Sequence, residues 1–371
     1  MRQKCSLILS DGTRFQGDLI GAPLRASGEL VFTTGMVGYS EAITDPSYFG
    51  QILCFTYPLI GNYGIPDLPP NDDGFIPRGF ESSKPHAAGV ILTIDSPESF
   101  HWNSFHSLDH WLKKYGVPGI VGLDTRHLVH TIRNNSNLLG RIDPEDCEGY
   151  RDLGPDLTPI SPTAFFDPGM NNIVDRVSSK ERRILGKGNI RVGLVDCGAK
   201  WNIIRQFIEF GCEVELLPWS TDFSTVDCDM WVLSNGPGDP TRTGDLRFRV
   251  QQLLSEDRPI IGICLGHQIL SLAAGATTKR MSYGHRSHNQ PVYEVGTRRG
   301  YITSQNHGYV VEDHSLPEDW VPWFRNVNDQ SIEGIRHTSK PFRSVQFHPE
   351  ASGGPRDTAW IFEQILAEVK K

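Results

Sequence analysis

The chain lacks the features that identify several large classes of protein. Nothing approaches the ~18 consecutive apolar residues of a membrane-spanning helix, and the N-terminal sequence MRQKCSLILS is too poor in apolar residues for a signal peptide. It has no Gly-x-x-x-x-Gly-Lys-Ser/Thr phosphate loop. Basic residues do not prevail, because the formal net charge is −8, which argues against nucleic acid or an anionic membrane as the main partner. We therefore expect a cytoplasmic protein.

Cysteine pairs are also missing. The seven cysteines show neither a Cys-x-x-Cys motif nor paired spacing, so neither a disulfide framework nor a zinc site is indicated. His285 and His288, beside Arg286, have no third ligand at a suitable spacing. We expect them to lie in a solvated polar loop, and we expect no metal in this chain.

The 371 residues are enough for two domains that each bury a core. Residues 1–142 alternate short strands with two helical stretches, which predicts a smaller α+β domain. Residues 143–188 are rich in proline, glycine and charge and are predicted to form a linker. In residues 189–371 strands alternate with helices, which predicts an α/β domain with a doubly wound, mostly parallel sheet and later antiparallel segments.

The most informative segment is PIIGICLGHQIL, residues 259–270. A short apolar strand ends at Cys264 between two glycines, and a helical pattern follows at once, as in a nucleophile elbow. Side chains at Gly262 and Gly266 would collide with neighbouring backbone, and the N-terminus of the helix would favour a thiolate. We therefore expect an ionised Cys264 sulfur, exposed at a tight bend, to act as a nucleophile.

A base for this nucleophile follows the predicted strand at 343–347. His348 and Glu350 are separated by one proline, so an extended backbone places both side chains on the same side. A carboxylate behind an imidazole fixes its tautomer and orientation, which completes a Cys264-His348-Glu350 triad.

An oxyanion site is predicted where the strand at 230–233 breaks into the turn SNGPGDP, residues 234–240. Gly236 and Gly238 can adopt positive φ there. The N–H groups of Gly236 and Leu265 would then stabilise a developing oxyanion. Because each element supplies a different part of one reaction, the set predicts acyl transfer.

These motifs resemble those of class I, triad-type glutamine amidotransferases, and the resemblance extends to the N-terminal half. The segments TGMVGY (34–39), EAITDPSY (41–48) and YPLIGNYG (57–64) resemble the small subunit of carbamoyl-phosphate synthetase. So do DTR (124–126), LLGR (138–141), DCGAKWNIIR (196–205) and SQNHG (304–308). The resemblance implies glutamine hydrolysis through a thioester, with ammonia delivered to a large synthetase subunit. That partner uses ATP and Mg²⁺ with bicarbonate, for arginine or pyrimidine biosynthesis.

The resemblance also implies which residues bind glutamine. Gln268, Asn306, Gly308 and Tyr309 would surround the substrate together with Gly236, Gly238 and Leu265, and Ser47 would reach it from the N-terminal domain. Two of these residues have an alternative role, because Ser47 could cap a turn after Asp45-Pro46 and Asn306 could hold a left-handed turn. Two other functions stay open: an amidotransferase subunit for a different acceptor, and a non-catalytic paralogue that regulates a synthetase.

Overall fold

The structure is a computed structural model that describes residues 2–67, 76–135, 137–153 and 164–369. It divides into two compact units. Unit 1 comprises Met1–Asn71 and Pro77–Met170, and unit 2 comprises Asp72–Ile76 and Asn171–Lys371. No helix among the described residues is long and apolar enough to cross a bilayer.

Unit 1 is built on a closed seven-stranded barrel with the strand order β1-β2-β8-β6-β4-β3-β9, and β5 and β7 pair separately. Its strands are β1 (Lys4–Leu9), β2 (Arg14–Gly21), β3 (Ala26–Thr33), β4 (Gln51–Phe55), β5 (Leu59–Ile60), β6 (Gly89–Leu92), β7 (Ile94–Asp95), β8 (Pro118–Val121) and β9 (Leu139–Pro144). Its helices are α1 (Tyr39–Thr44), α2 (Leu108–Lys114) and α3 (Thr125–Asn134). The predicted α+β class is confirmed, but the sequence did not predict that the strands close into a barrel.

Local sequence accounts for the helix starts in unit 1. The Ser107 hydroxyl accepts a hydrogen bond from the N–H of His110 at the start of α2. The Asp124 carboxylate does the same for His127 at the start of α3. Such side chains satisfy N–H groups that have no partner within the helix. The barrel itself closes through β9, which pairs antiparallel with both β1 and β3.

Unit 2 is a ten-stranded mixed sheet with the order β10-β12-β11-β13-β14-β19-β18-β17-β15-β16. Its strands are β10 (Arg183–Leu185), β11 (Ile190–Asp196), β12 (Cys212–Pro218), β13 (Met230–Leu233), β14 (Ile260–Ile263), β15 (Thr278–Glu294), β16 (Gly300–Val311), β17 (Trp320–Asn326), β18 (Ile332–His337) and β19 (Phe342–Val345). Its helices are α4 (Val174–Val177), α5 (Trp201–Glu209), α6 (Leu246–Leu253), α7 (Leu265–Ala274) and α8 (Trp360–Val369).

Five strands, β12, β11, β13, β14 and β19, form the parallel centre of this sheet. One buried cluster contains Phe207 of α5 and Phe362 of α8, and a second contains Val250 of α6 and Ile269 of α7. Helices therefore cover both faces, as in doubly wound sheets. The remaining pairs are antiparallel, so the predicted α/β class is confirmed and the whole sheet is mixed.

The predicted linker, 143–188, is not a single connecting segment. Its described residues up to Met170 belong to unit 1, and those from Asn171 belong to unit 2. Within unit 2, Val174 packs into the second buried cluster, and β10 pairs antiparallel with β12 at the sheet edge. The sequence did not predict these two elements, because each is only three or four residues long and lies in a proline-rich stretch. The prolines at 155, 159 and 162 lie outside the described residues.

Candidate active site

Cys264 lies at a sharp turn between β14 and α7. Its backbone has φ 54° and ψ −104°, a positive φ that non-glycine residues rarely adopt. A Cβ at Gly262 would approach the carbonyl oxygen of Gly266 to 2.4 Å, and a Cβ at Gly266 would approach that of Leu233 to 2.1 Å. The predicted elbow is present, and both glycines are required by close backbone contacts.

The expectation that the Cys264 thiol is exposed is wrong. The residue is only 3% exposed, and its sulfur lies 3.8 Å from the carbonyl oxygen of Asn306. The sequence predicts the bend but not the strand that covers it, because β16 comes about 40 residues later in the chain.

The sheet brings His348 and Glu350 to the same edge as Cys264. Strands β14 and β19 are parallel neighbours, and the N–H of Cys264 donates to the carbonyl of Val345, the last residue of β19, at 2.9 Å. His348 Nδ1 and Glu350 Oε1 are 2.7 Å apart, and both residues are buried. Cys264 acts on the His348 ring through its charge and through a side-chain hydrogen bond.

The buried charges determine the protonation of this pair. Burial and the Lys200 ammonium act to lower the pKa of His348, but Glu350 and Cys264 outweigh them and raise it to about 10. Burial acts to raise the pKa of Glu350, but the His348 and Lys200 cations lower it to about 2. Near neutral pH the structure therefore holds an imidazolium beside a carboxylate.

Two N–H groups are available for the predicted oxyanion site. Leu265 is the first residue of α7, so its N–H has no acceptor within the helix. Neither this N–H nor that of Gly236 donates to another described group. A Cβ at Gly236 would lie 2.1 Å from the Cys197 carbonyl oxygen and 2.9 Å from a Leu265 methyl group. Of the two glycines at which the sequence allows positive φ, Gly238 has φ 92°, whereas Gly236 does not adopt a positive φ.

Four of the predicted glutamine-binding residues lie beside the elbow. Gln268, on α7, donates from Nε2 to the Tyr309 carbonyl at 3.1 Å and to Gln346 Oε1 at 3.0 Å. Asn306, Gly308 and Tyr309 all lie in β16. Asn306 is therefore in a strand rather than the left-handed turn considered as its alternative role.

Ser47 lies in unit 1, in a short 3₁₀ turn at residues Pro46–Tyr48. The carboxylate of Asp45, not the hydroxyl of Ser47, caps this turn by accepting from the Ser47 N–H at 2.9 Å. The roles assigned to Ser47 and to the four residues beside the elbow stay predictions.

Sequence reasoning did not identify two cations at the site. Lys200 Nζ lies 3.5 Å from Glu350 Oε1, and Arg286 Nη1 donates to Asn306 Oδ1 at 2.8 Å. Lys200 lies in the DCGAKWNIIR segment, which supports the family resemblance but does not by itself indicate that the lysine pairs with the triad carboxylate. Arg286 was assigned with His285 to a solvated loop, which is wrong: both are buried in β15. All seven cysteines are free thiols, as expected.

Comparison with known proteins places both halves of the chain. A family model described as the CPSase domain of the carbamoyl-phosphate synthase small chain matches residues 7–142. A second, described as class I glutamine amidotransferase, matches residues 193–367. The arginine-specific small chain of carbamoyl phosphate synthase from Neosartorya fischeri is 41% identical over 374 residues, covering 100% of this chain and 80% of that protein.

Two longer relatives are similar over almost all of this chain. Multifunctional protein CAD of Squalus acanthias is 47% identical over 97% of the chain, which spans 16% of that protein. Mitochondrial carbamoyl-phosphate synthase (ammonia) of Rattus norvegicus is 42% identical over 100% of the chain, which spans 24% of that protein. The chain therefore covers a quarter or less of these two relatives.

Proposed function

This chain belongs to the family of carbamoyl-phosphate synthase small chains, and from that premise we propose that it hydrolyses glutamine and supplies ammonia to a large synthetase subunit. Unit 2 contains its class I glutamine amidotransferase domain. One observation carries the proposal: His348 Nδ1 lies 2.7 Å from Glu350 beside a strained Cys264. One relative's name specifies ammonia, so family membership alone does not decide whether glutamine is used.

The first half-reaction forms a thioester. The Cys264 sulfur, whose proton His348 has taken, attacks the carboxamide carbon of glutamine, and the carbonyl electron pair moves onto oxygen. The N–H groups of Leu265 and Gly236 stabilise that oxyanion, an effect of about 3 kcal/mol for each donor. As the C–N bond breaks, His348 donates its proton to the departing nitrogen and ammonia is released.

The second half-reaction restores the enzyme. His348, now neutral, accepts a proton from a water molecule whose oxygen attacks the thioester carbon. The C–S bond breaks, glutamate leaves, and the sulfur again faces a protonated His348. Glu350 keeps Nδ1 protonated throughout, so that Nε2 alone exchanges protons. Each step uses side chains and N–H groups of this chain, and we propose that it needs no cofactor of its own.

The ammonia has to reach a second reaction. Ammonia is largely protonated at neutral pH and then is no longer a nucleophile, so its release into solvent would waste it. We propose that a large subunit with ATP, Mg²⁺ and bicarbonate receives it, and that the barrel of unit 1 docks that subunit. The family match over residues 7–142 supports this acceptor over a different one.

A glutaminase assay tests the proposal against its non-catalytic rival. Glutamate release is measured for the wild-type chain and for Cys264→Ser, each with and without a competent large synthetase subunit. We expect release from the wild type, stimulated by the large subunit, and none above background from Cys264→Ser. A wild-type chain that stays inactive with the large subunit would falsify the catalytic proposal and favour the regulatory one.

A further inference from the structure

A buried ion-pair cluster lies next to the glutamine-binding strand of unit 2 and has no part in the chemistry above. His285 Nδ1 lies 3.0 Å from Glu333 Oε1, and His285 Nε2 lies 3.0 Å from Asp329 Oδ2. Glu333, on β18, is fully buried. Burial alone would lower the pKa of His285, but the two carboxylates raise it to about 10. An imidazolium that donates to both acids satisfies this geometry.

The backbone leaves this part of β15 weakly fixed. Its register against β16 is interrupted between Arg280 and His285 and again between Ser287 and Gln290. Among the described residues, β15 pairs with β17 only at 292–294, and β18 pairs with β17 and β19. The His285–Glu333 contact therefore joins two strands that share no ladder, at a segment where the ladder is broken on both sides.

This segment of β15 holds Asn306, the residue of β16 that faces the nucleophile. Arg286 stands opposite Asn306 in the β15–β16 register and donates to its side chain at 2.8 Å. The Asn306 carbonyl oxygen in turn lies 3.8 Å from the Cys264 sulfur.

The other end of the ion pair connects to the catalytic base. The Glu333 carbonyl accepts from the N–H of Gln346 at 2.8 Å, two residues before His348. The N–H of His348 also donates directly to the Ser304 carbonyl of β16 at 3.0 Å. A shift of β15 relative to β18 would therefore strain this contact and move Asn306 relative to Cys264.

We propose that His285 is a positioning residue, whose ion pair with Glu333 fixes the Asn306 strand against the Cys264–His348 edge and thereby sets the affinity for glutamine. The identity of the ligand rests on the function proposed above. A metal is the alternative occupant, because His285, His307 and Glu333 offer ligand atoms within 4.8 Å of one another. The two carboxylates already occupy both nitrogens of His285, which favours the ion pair.

Four variants of the full chain test this role: His285→Gln, Glu333→Gln, the double variant, and His314→Gln as an exposed histidine control. Steady-state glutaminase gives KM and kcat. We expect His285→Gln to raise KM about tenfold and to leave kcat within about threefold, because misplacement of binding groups weakens binding before chemistry. In the double variant KM should return most of the way to the wild-type value, since neither His285 nor Glu333 then remains as a buried charge without its partner.

Other measurements separate the possible outcomes. Glutamine Kd, measured by calorimetry in a Cys264→Ser background, should rise about tenfold in His285→Gln as KM does. An unchanged Kd and KM, with only a lower Tm, would overturn the positioning role even if the wild type hydrolyses glutamine. A wild type that binds but does not hydrolyse glutamine refutes the proposed function and leaves this test intact. One equivalent of zinc in the purified chain would overturn the ion pair.

Discussion

Replacing Glu350 by glutamine removes one charge from the buried site and keeps the shape of the side chain. Glu350 Oε1 lies 2.7 Å from His348 Nδ1 and 3.5 Å from Lys200 Nζ. A glutamine amide oxygen can still accept the Nδ1 proton, so the ring keeps its tautomer. The change therefore tests the electrostatic part of the triad separately from its geometry.

The expected magnitude follows from the charges around His348. In the wild type its pKa is raised to about 10. Without Glu350, burial and Lys200 oppose only the charge and the hydrogen bond of Cys264, and we expect the pKa to fall to about its ordinary 6.5. That fall is about 3.5 units, or about 5 kcal/mol. At pH 8 a ring with that pKa is protonated in only about 3% of molecules, so kcat/KM should drop about thirtyfold or more.

The assay is glutamate release between pH 6 and 10, with Glu363→Gln on the exposed face of α8 as control. The wild type should keep its activity into the alkaline range. In Glu350→Gln the alkaline limb should move about three units lower, and Glu363→Gln should follow the wild type. If Glu350→Gln keeps the wild-type alkaline limb at any level of activity, the carboxylate does not set the protonation of His348 and the reasoning fails.

Three further predictions concern packing and charge. In Gly266→Ala the new Cβ would lie 2.1 Å from the Leu233 carbonyl oxygen, so we expect the free energy of unfolding in urea to fall by about 2 kcal/mol or more and glutaminase activity to be lost. In the control Gly300→Ala, the new Cβ has no neighbour nearer than 3.6 Å, and both properties should stay unchanged. Phe362→Ala removes an edge-to-face contact with Phe207 at 5.2 Å, so the free energy of unfolding should fall by about 3–5 kcal/mol in the same assay. The control Phe248→Ala, at an exposed position, should lower it by under about 1 kcal/mol. Burial raises the pKa of Glu333, but while Glu333 and Asp329 stay ionised, the raised pKa of His285 means that its stabilisation is complete near pH 6.5 and is lost as the pH rises through about 10. The Tm difference between wild type and His285→Gln should therefore narrow over that range, and a constant difference would contradict this linkage.

Residues close in sequence allowed the elbow to be predicted. Gly262, Cys264 and Gly266 lie within five positions, and a Cβ at Gly262 would meet the nearby Gly266 backbone. Gly266 is restricted instead by Leu233 of the neighbouring strand β13, a contact that the local pattern does not encode. His348 and Glu350 are also local to one another, and the carboxyl ends of parallel strands meet at one edge. The structure brings these residues together as the pattern indicates, because β14 and β19 are adjacent.

Long-range pairing explains what the sequence did not reveal. The barrel of unit 1 closes where β9 meets β1, more than 130 residues apart in the chain, and no local pattern encodes that register. The same applies to the cover over Cys264 and to the charge on His285. The partners of His285, Asp329 and Glu333, lie 44 and 48 residues away, so its neighbours Arg286 and His288 suggested a polar loop instead.

The catalytic proposal is also supported by the features of the site that lower the stability of the folded protein. Cys264 combines a positive φ with ψ −104°, outside the left-handed region that non-glycine residues tolerate, and such strain costs on the order of 1–3 kcal/mol. Beside it, Glu350 and Lys200 are buried as ions. A chain that only bound a synthetase would be more stable with glycine at 264 and apolar side chains at 348 and 350. These costs coincide at one edge of one sheet, where the proposed nucleophile, base and oxyanion site would require them, and that coincidence favours the catalytic proposal over a regulatory paralogue.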